Sequence, residues 1–233
     1  FKMHRNWKDL IKPNNIEAEV LTDTYGKFIA MPLEKGYGVT LGNSLRRVLL
    51  SSLNGAAVVA ARFEGTDHEF SVLPGIKEDI TDIILNIKQM SLRYLGEEDT
   101  IITLKAEGSK IVTAADIETN GHVEILNPDQ VICTLNEEGK INCELLVRHG
   151  RGYATSDAIR DQNLPVGFIP IDALFAPVRR IAYHIADARV GQDTDYDKLS
   201  LEVWTNGAVR PDDAVAFAAK ILKEQLTTFV NFD

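Results

Sequence analysis

The sequence predicts an α+β fold: a discontinuous domain, made of an antiparallel sheet with two long helices, interrupted by an inserted β-rich α+β domain. Three observations predict it. Apolar residues recur at helical spacing in two long stretches, one near each end of the chain. Period-two alternation lies next to both of them, at Ile16–Met31 and again at Arg180–Thr205. From Ser91 to about Gly152 the pattern changes to short strands separated by Gly-, Asn- and Glu-rich connectors. Residues 10–54 and 178–233 are therefore assigned to the outer domain and residues 55–177 to the insertion.

In chain order, Phe1 to Asp9 read as a frayed polar lead-in. Ile16–Leu21 and Lys27–Met31 read as a hairpin around Thr22-Asp-Thr-Tyr-Gly26, ended by Pro32, which has no N–H for a ladder. Thr40 is expected to N-cap the next helix and Asn54-Gly55 to stop it. Between them Leu41, Leu45, Val48 and Leu49 share one face. At about 100° per residue, Asn43, Arg46, Arg47 and Leu50 fall on the other. An ordinary amphipathic helix with one exposed leucine would look much the same. We adopt the sharper reading, in which one stripe packs inward and the arginine-leucine face grips another protein.

Ala56–Phe63 is a compact apolar run of strand length. Pro74-Gly75 precedes Ile76, Ile80, Ile83, Ile84 and Ile87 at helical spacing, with Glu78, Asp79 and Asp82 as a solvated outer face. Acids early and Lys88 late suit the helix dipole. Strands are expected at Leu92–Leu95, Thr100–Lys105, Val123–Leu126, Val131–Leu135 and Ile141–His149, and a surface loop over Gly150–Val166. Arg180–Val190 and Lys198–Thr205 alternate, and Asn206-Gly207 breaks the second. Pro211-Asp212-Asp213 opens the last helix, with proline in the first turn and acids at its positive end. There Val215, Ala219, Leu222, Leu226 and Phe229 form a short heptad seam, widened by Ala214, Ala218 and Ile221. A lone sheet needs a narrower stripe, so part of this helix is expected to meet another helix.

The totals, 45% hydrophobic and 25% charged residues, are those of a folded soluble protein, with no apolar run long enough for a membrane span and no signal peptide. A net charge of −9 disfavours direct contact with a nucleic-acid backbone. Cys133 and Cys143 exclude a disulfide framework and a four-cysteine zinc site. They flank the turn Asn136-Glu-Glu-Gly-Lys140, so a hairpin there would set them face to face, where a cross-strand disulfide is geometrically conceivable and a reduced pair of small hydrophobes is favoured in a chain without secretion signals.

Gly36-x-Gly38-x-x-x-Gly42, with Glu64 at the end of the next strand, superficially suits a nucleotide-binding oxidoreductase. Against it, Pro32, Glu34 and Lys35 stand where a dinucleotide fold has a tight turn, and alternating β and α units do not follow. The plain alternative is that the glycines permit a chain reversal and close helix packing. His4, His68, His122, His149 and His184 are scattered without metal-ligand spacing, and Ser51-Ser52 lacks a nucleophile-elbow context. Arg148 and Arg151 beside Gly152-Tyr153 make a small basic loop, read as solvated.

With these residues laid out, the chain closely resembles the N-terminal assembly domain of bacterial RNA polymerase alpha subunits. The likeness runs from Leu33-Glu-Lys-Gly-Tyr-Gly through Leu41-Gly-Asn-Ser-Leu-Arg-Arg to Ser52, then through His68-Glu-Phe-Ser, Gly75–Ile80, Val112–Asp116 and Gly150-Arg-Gly-Tyr153. It resumes at Pro177–Tyr183, Thr194–Leu199 and Thr205-Asn-Gly207, covering essentially Leu10 to Val230. The resemblance implies a cytoplasmic, non-catalytic scaffold of DNA-directed RNA polymerase. Two copies would pair through the long helices and carry the beta and beta-prime subunits of the nucleotidyltransferase complex. It implies a dimer interface of Leu41, Leu45, Val48, Leu49, Val215, Ala219, Leu222, Leu226 and Phe229. Arg47 and Leu50 would hold the beta subunit, and Arg46, Asp82, Lys88, Ile171 and Ala176 are the other expected large-subunit contacts. Ala176 stands where the family often has serine. No cofactor is expected on this chain, magnesium belonging to the large catalytic subunit, and DNA would be reached only through the complex. The family's promoter- and activator-binding domain would follow a linker beyond the last helix, where this chain stops at Asp233.

Overall fold

The computed structural model describes residues 6–231; residues 1–5, which hold His4 and most of the expected lead-in, and residues 232–233 lie outside the described residues. The chain opens with a 3-10 turn at Asn6–Lys8, then β1 (Glu17–Leu21), β2 (Tyr25–Glu34), α1 (Tyr37–Ser51) and β3 (Asn54–Phe63). Next come α2 (Ile80–Lys88), β4 (Leu92–Tyr94), β5 (Thr100–Glu107), β6 (Lys110–Thr113), β7 (Ile117–Glu118), β8 (Val123–Ile125) and β9 (Val131–Leu135). β10 (Lys140–Arg151), β11 (Tyr153–Ala154), α3 (Ser156–Arg160), β12 (Ile169–Pro170) and β13 (Ala173–Leu174) follow. The chain ends with β14 (Val178–Val190), β15 (Asp193–Thr205) and α4 (Pro211–Thr227). These elements divide into two compact units, one made of the chain up to Leu53 together with Val178 onward, the other of Asn54–Pro177.

In the first unit four antiparallel strands lie in the order β1-β2-β15-β14. Strand alternation decides which face is dry: Leu199, Leu201, Val203 and Thr205 of β15 are all buried, while the residues between them are not. Phe28, Ile181, Leu201 and Val203 meet Leu49 and Leu53 of the α1 region and Ala214 and Ala218 of α4 in one core. The other face is polar and tied side chain to side chain. Tyr25 donates to Glu202 at 2.6 Å, Lys27 pairs with Glu19 at 2.8 Å, and the Arg180 guanidinium stacks 4.6 Å from the Trp204 ring centre. Pro32 does not end β2 as expected. The strand runs on to Glu34, and pairing with β15 jumps from Leu199↔Ala30 to Asp197↔Leu33. With no N–H to offer, Pro32 is accommodated in an irregularity of the ladder.

In the second unit β10 is flanked by β3 and β5, within a seven-stranded sheet. Its central strands are covered on both faces. Val58, Ala61, Leu145 and Val147 pack with Ile80, Ile83 and Ile87 of α2 in the larger core, whereas Val59, Ala60 and Leu146 pack with Ile159, Phe168 and Phe175. Two-sided burial is why Ala56–Ala61 reads as an unbroken apolar run rather than an alternation. Helix α2 begins only at Ile80, capped by Asp79, whose carboxylate accepts from the Asp82 amide at 2.8 Å. Glu78 accepts from the amide and hydroxyl of Thr134 at 2.7 and 3.0 Å, so these two acids are structural rather than merely solvated.

The expected hairpin between the cysteines is absent. Cys133 on β9 stands opposite Val112 of β6, and Cys143 on β10 stands between Phe63 and Leu104. The connecting turn is tied elsewhere: Asn136 N donates to Gly75 O and Gly108 N to Gly139 O, each at 3.0 Å. Both thiols are free and buried, and burial pushes Cys133 up to about 12 and Cys143 further upward, so neither carries reactive thiolate. The stretch Gly150–Val166, expected as a plain loop, holds β11 and the five-residue α3, whose first turn is capped by the Thr155 hydroxyl.

Candidate subunit interfaces

Helix α1 is built to lie close on its sheet. A Cβ added at Gly42 would sit 2.9 Å from the Tyr183 ring and 3.1 Å from Leu199, and one at Gly38 would sit 3.1 Å from Ile185. The helix opens at Gly36, whose φ of 92° suits glycine, and no local side chain caps it. Thr40, expected as the N-cap, is inside the helix, and its hydroxyl donates back to Gly36 O at 3.3 Å. The cap comes instead from β15: Asp197 Oδ2 accepts from Gly36 N at 2.9 Å and Gly38 N at 3.1 Å. These amides are where a dinucleotide phosphate would have to bind. Glu64, the acid the nucleotide reading needed, lies in the other unit and accepts from Asn142 at 2.8 Å. The glycines serve packing, and the oxidoreductase alternative is dropped.

Farther along α1, Leu49 is 0% exposed, a member of its own unit's core, and so is withdrawn from the dimer interface in which it was expected. Leu45, Val48 and Leu50 are half-buried against the same core, while Leu41, Arg46 and Arg47 are exposed. Leu50 therefore leans on its own unit and is less free than a residue on a fully outward face. Among the described residues no hydrogen bond or ion pair is recorded for either arginine side chain.

Helix α4 divides along its length. Its inner row is Ala214 and Ala218, both fully buried, with Val215, Ile221 and Leu222 half-buried beside them. From Lys223 to Asn231 every residue is exposed, including Leu226 at 60% and Phe229 at 83%. Ala219 is exposed as well. Phe217, which the heptad reading left out, is 60% exposed on the opposite flank of the alanine row. A bulky aromatic set among alanines was the one signal in the sequence that pointed to it.

In the second unit the four expected contact residues separate. Asp82 and Lys88 are exposed on α2, but Ile171 is 1% exposed and belongs to the larger core, and Ala176 is buried as well. Both are corrections, because a side chain used to fill its own core has no surface to give a partner. Ile171 and Lys88 do line one cleft of about 170 Å³ with Phe70, Leu85 and Asp172. Asp172 accepts from Ser156 N at 2.7 Å and from Lys88 Nζ at 3.2 Å. The Ser156 amide, helped by Tyr153 and Lys88, holds its carboxyl below the ordinary range. In the basic stretch Arg148 is spoken for, forking onto Asp99 at 2.6 to 3.1 Å and donating to Gln162 at 3.1 Å, while Arg151 is exposed. His149 stacks on Tyr94 and meets Gly96 O at 2.7 Å. No cluster able to hold a metal ion occurs among the described residues, and none of their helices is long and apolar enough to cross a membrane.

Known proteins with the same pattern decide the family. Residues 61–176 match the model described as the RNA polymerase Rpb3/RpoA insert domain. The DNA-directed RNA polymerase subunit alpha of Geobacter metallireducens is 56% identical over 233 residues, 99% of this chain and 68% of the relative. The chain belongs to the alpha-subunit family of DNA-directed RNA polymerase. The alpha subunit of Desulforapulum autotrophicum is 50% identical over 99% of this chain and 68% of its own length. That of Symbiobacterium thermophilum is 56% identical over 93% of this chain and 69% of its own. Exposed arginines on α1 and an exposed apolar end on α4 are thus features of an alpha subunit, a component of a nucleotidyltransferase complex.

Proposed function

We propose that the chain is the homodimerising scaffold on which the beta and beta-prime subunits of RNA polymerase are assembled, with the chemistry of RNA synthesis left to those subunits. One observation carries this reading: the end of α4 and the residues just past it present Leu226, Phe229 and Val230 to solvent, while the residues of the helix buried in its own core are Ala214 and Ala218. Burying such a side chain contributes about 1.5–3 kcal/mol, against a cost of association of roughly 4–15 kcal/mol. A twofold interface counts every residue twice, so a few large side chains per copy are enough. Leu41 of α1, with Ala219 and Leu222 of α4, extends the seam.

The outer face of α1 is the proposed seat of the beta subunit. Arg46 and Arg47 carry planar guanidinium groups suited to carboxylates and main-chain carbonyls of a partner. Asp82 and Lys88 belong to the proposed contact with the large subunits made by the inserted unit. The chain acts in the cytoplasm, its net charge of −9 leaves DNA to the rest of the complex, and the catalytic magnesium is assigned to a large subunit. Sedimentation equilibrium over a broad dilution series tests the first claim, with a dimer expected and monomers throughout overturning it. Mixing the dimer with both large subunits tests the second: a stable complex is expected, and Arg47→Ala should weaken it while leaving the dimer intact. Monomers from Arg47→Ala would move that residue to the other interface.

A further inference from the structure

We infer that Asp197 is the positioning residue of the arginine-bearing helix: it fixes α1 along its own axis and so sets where Arg46 and Arg47 stand. The inference rests on the reading of the α1 outer face as a large-subunit seat. Asp197 is 161 residues from Gly36 in sequence, yet its buried carboxylate makes both amide bonds that begin α1. Lys35 bridges the same place, its Nζ 2.7 Å from Asp187 on β14 and 3.8 Å from Asp197. The other hold on the first half of the helix is apolar, from Ile185, Tyr183 and Leu199 of the sheet packed on its backbone. Its inner residues there are Gly38 and Gly42, which offer no side chain to interlock with the sheet. Leu49 and Leu53 hold the other end by apolar packing, which resists lifting the helix off but is not directional. Hydrogen bonds to one carboxylate oxygen are short-ranged and directional. Because a helix is stiff along its axis, a slip at Gly36 is carried to Arg46 and Arg47 undiminished.

The experiment uses the full-chain dimer and the purified beta subunit. Asp197→Leu removes the acceptor at similar size. Asp197→Asn keeps an oxygen for the amides but turns an amide nitrogen toward Lys35. Leu53→Ala loosens the same core at the far end as a control for stability alone. Amide hydrogen exchange at Gly36 and Gly38 reads the clamp directly, and titration reads capture of beta. Asp197→Leu should stay dimeric, lose protection at those amides, and bind beta about tenfold more weakly, the equivalent of about 1.4 kcal/mol. Asp197→Asn should fall between it and the parent in both readouts. Either Asp197 variant losing amide protection yet capturing beta as the parent does would overturn the inference, as would Leu53→Ala weakening capture equally. Should Asp197→Leu fail to fold, Asp197→Asn decides by the same criterion. Arg47→Ala separates the two claims. If it weakens capture and the Asp197 variants do not, only the positioning role falls; if it has no effect, the interface reading falls and takes this inference with it.

Discussion

Helices α2 and α4 bury very different side chains. On α2 the residues sealed into the core are Ile80, Ile83 and Ile87; on α4 they are Ala214 and Ala218, while Phe217 and Leu226, with Phe229 just past the helix end, stay in solvent. The first helix spends its isoleucines within its own unit, with Leu85 left outside, and the second keeps most of its largest apolar groups in solvent. An alanine row lets a backbone approach closely but contributes little burial, so α4, which packs chiefly on α1 with help from Val215 and Ile221, leaves its C-terminal end to draw its burial from elsewhere. The contrast separates a helix that stabilises a fold from one that stabilises an assembly.

Substitutions on the two helices should therefore fail in different ways. The largest effect is expected from Leu226→Glu, which by symmetry would bring two unpaired carboxylates into the seam and cost about 4 kcal/mol or more of association. Sedimentation should show monomers whose melting temperature is that of a folded chain; an unchanged dimer would remove α4 from the interface. Next, Ile83→Ala should destabilise the inserted unit by about 2–5 kcal/mol, with dimerisation spared. Chemical denaturation followed in that unit measures it, and a loss below about 1 kcal/mol would mean α2 is not anchored as described. Ala218→Leu should cost about 1–3 kcal/mol by forcing α4 away from α1 and the sheet, the reverse of what a larger apolar residue does at an unfilled site, and thermal denaturation measures it.

The smallest effect is expected at Asp172. Its carboxyl is held below the ordinary value chiefly by the Ser156 amide, so its contribution is complete above about pH 4 and is lost as pH falls through the lowered value. Denaturation midpoints of the parent and Asp172→Asn should therefore differ near neutrality and converge in acid. A gap that widened on acidification would contradict the assignment.

Much of this contrast was legible in the residues themselves. The spacing of Ile80, Ile83 and Ile87 marks α2 because helix and core share that one stripe. The heptad of Val215 to Phe229 located α4, but periodicity reports that a face is apolar, not what covers it. Both rows of α4 are apolar, and only the packing of α4 on α1 and the sheet decides that Ala218 faces in and Leu226 out. For the same reason Leu49 looked like part of a seam when it fills the core. The hairpin expected between Cys133 and Cys143 failed because turn residues specify a reversal and not a partner, and here Gly75 and Gly108 claim the turn. Helix α3 is too short for periodicity to register. Asp197 was invisible as a cap, since nothing local links it to Gly36, and Thr40 looked better placed only because it stands in the right neighbourhood of the helix start.

The dependence of α1 on β15 has a consequence for the order of events during synthesis. When Gly36 to Ser51 leave the ribosome, the carboxylate that closes the helix and the strand that pairs with β2 are still unmade. Asn54–Pro177, a unit with its own cores, emerges in between. The inserted unit is thus free to fold first, and the N-terminal hairpin waits as a half-sheet with an open edge until Asp193–Thr205 arrives. A nascent chain halted short of β15 would expose that edge together with the underside of α1, which makes the late strand the step that commits a subunit to its finished shape.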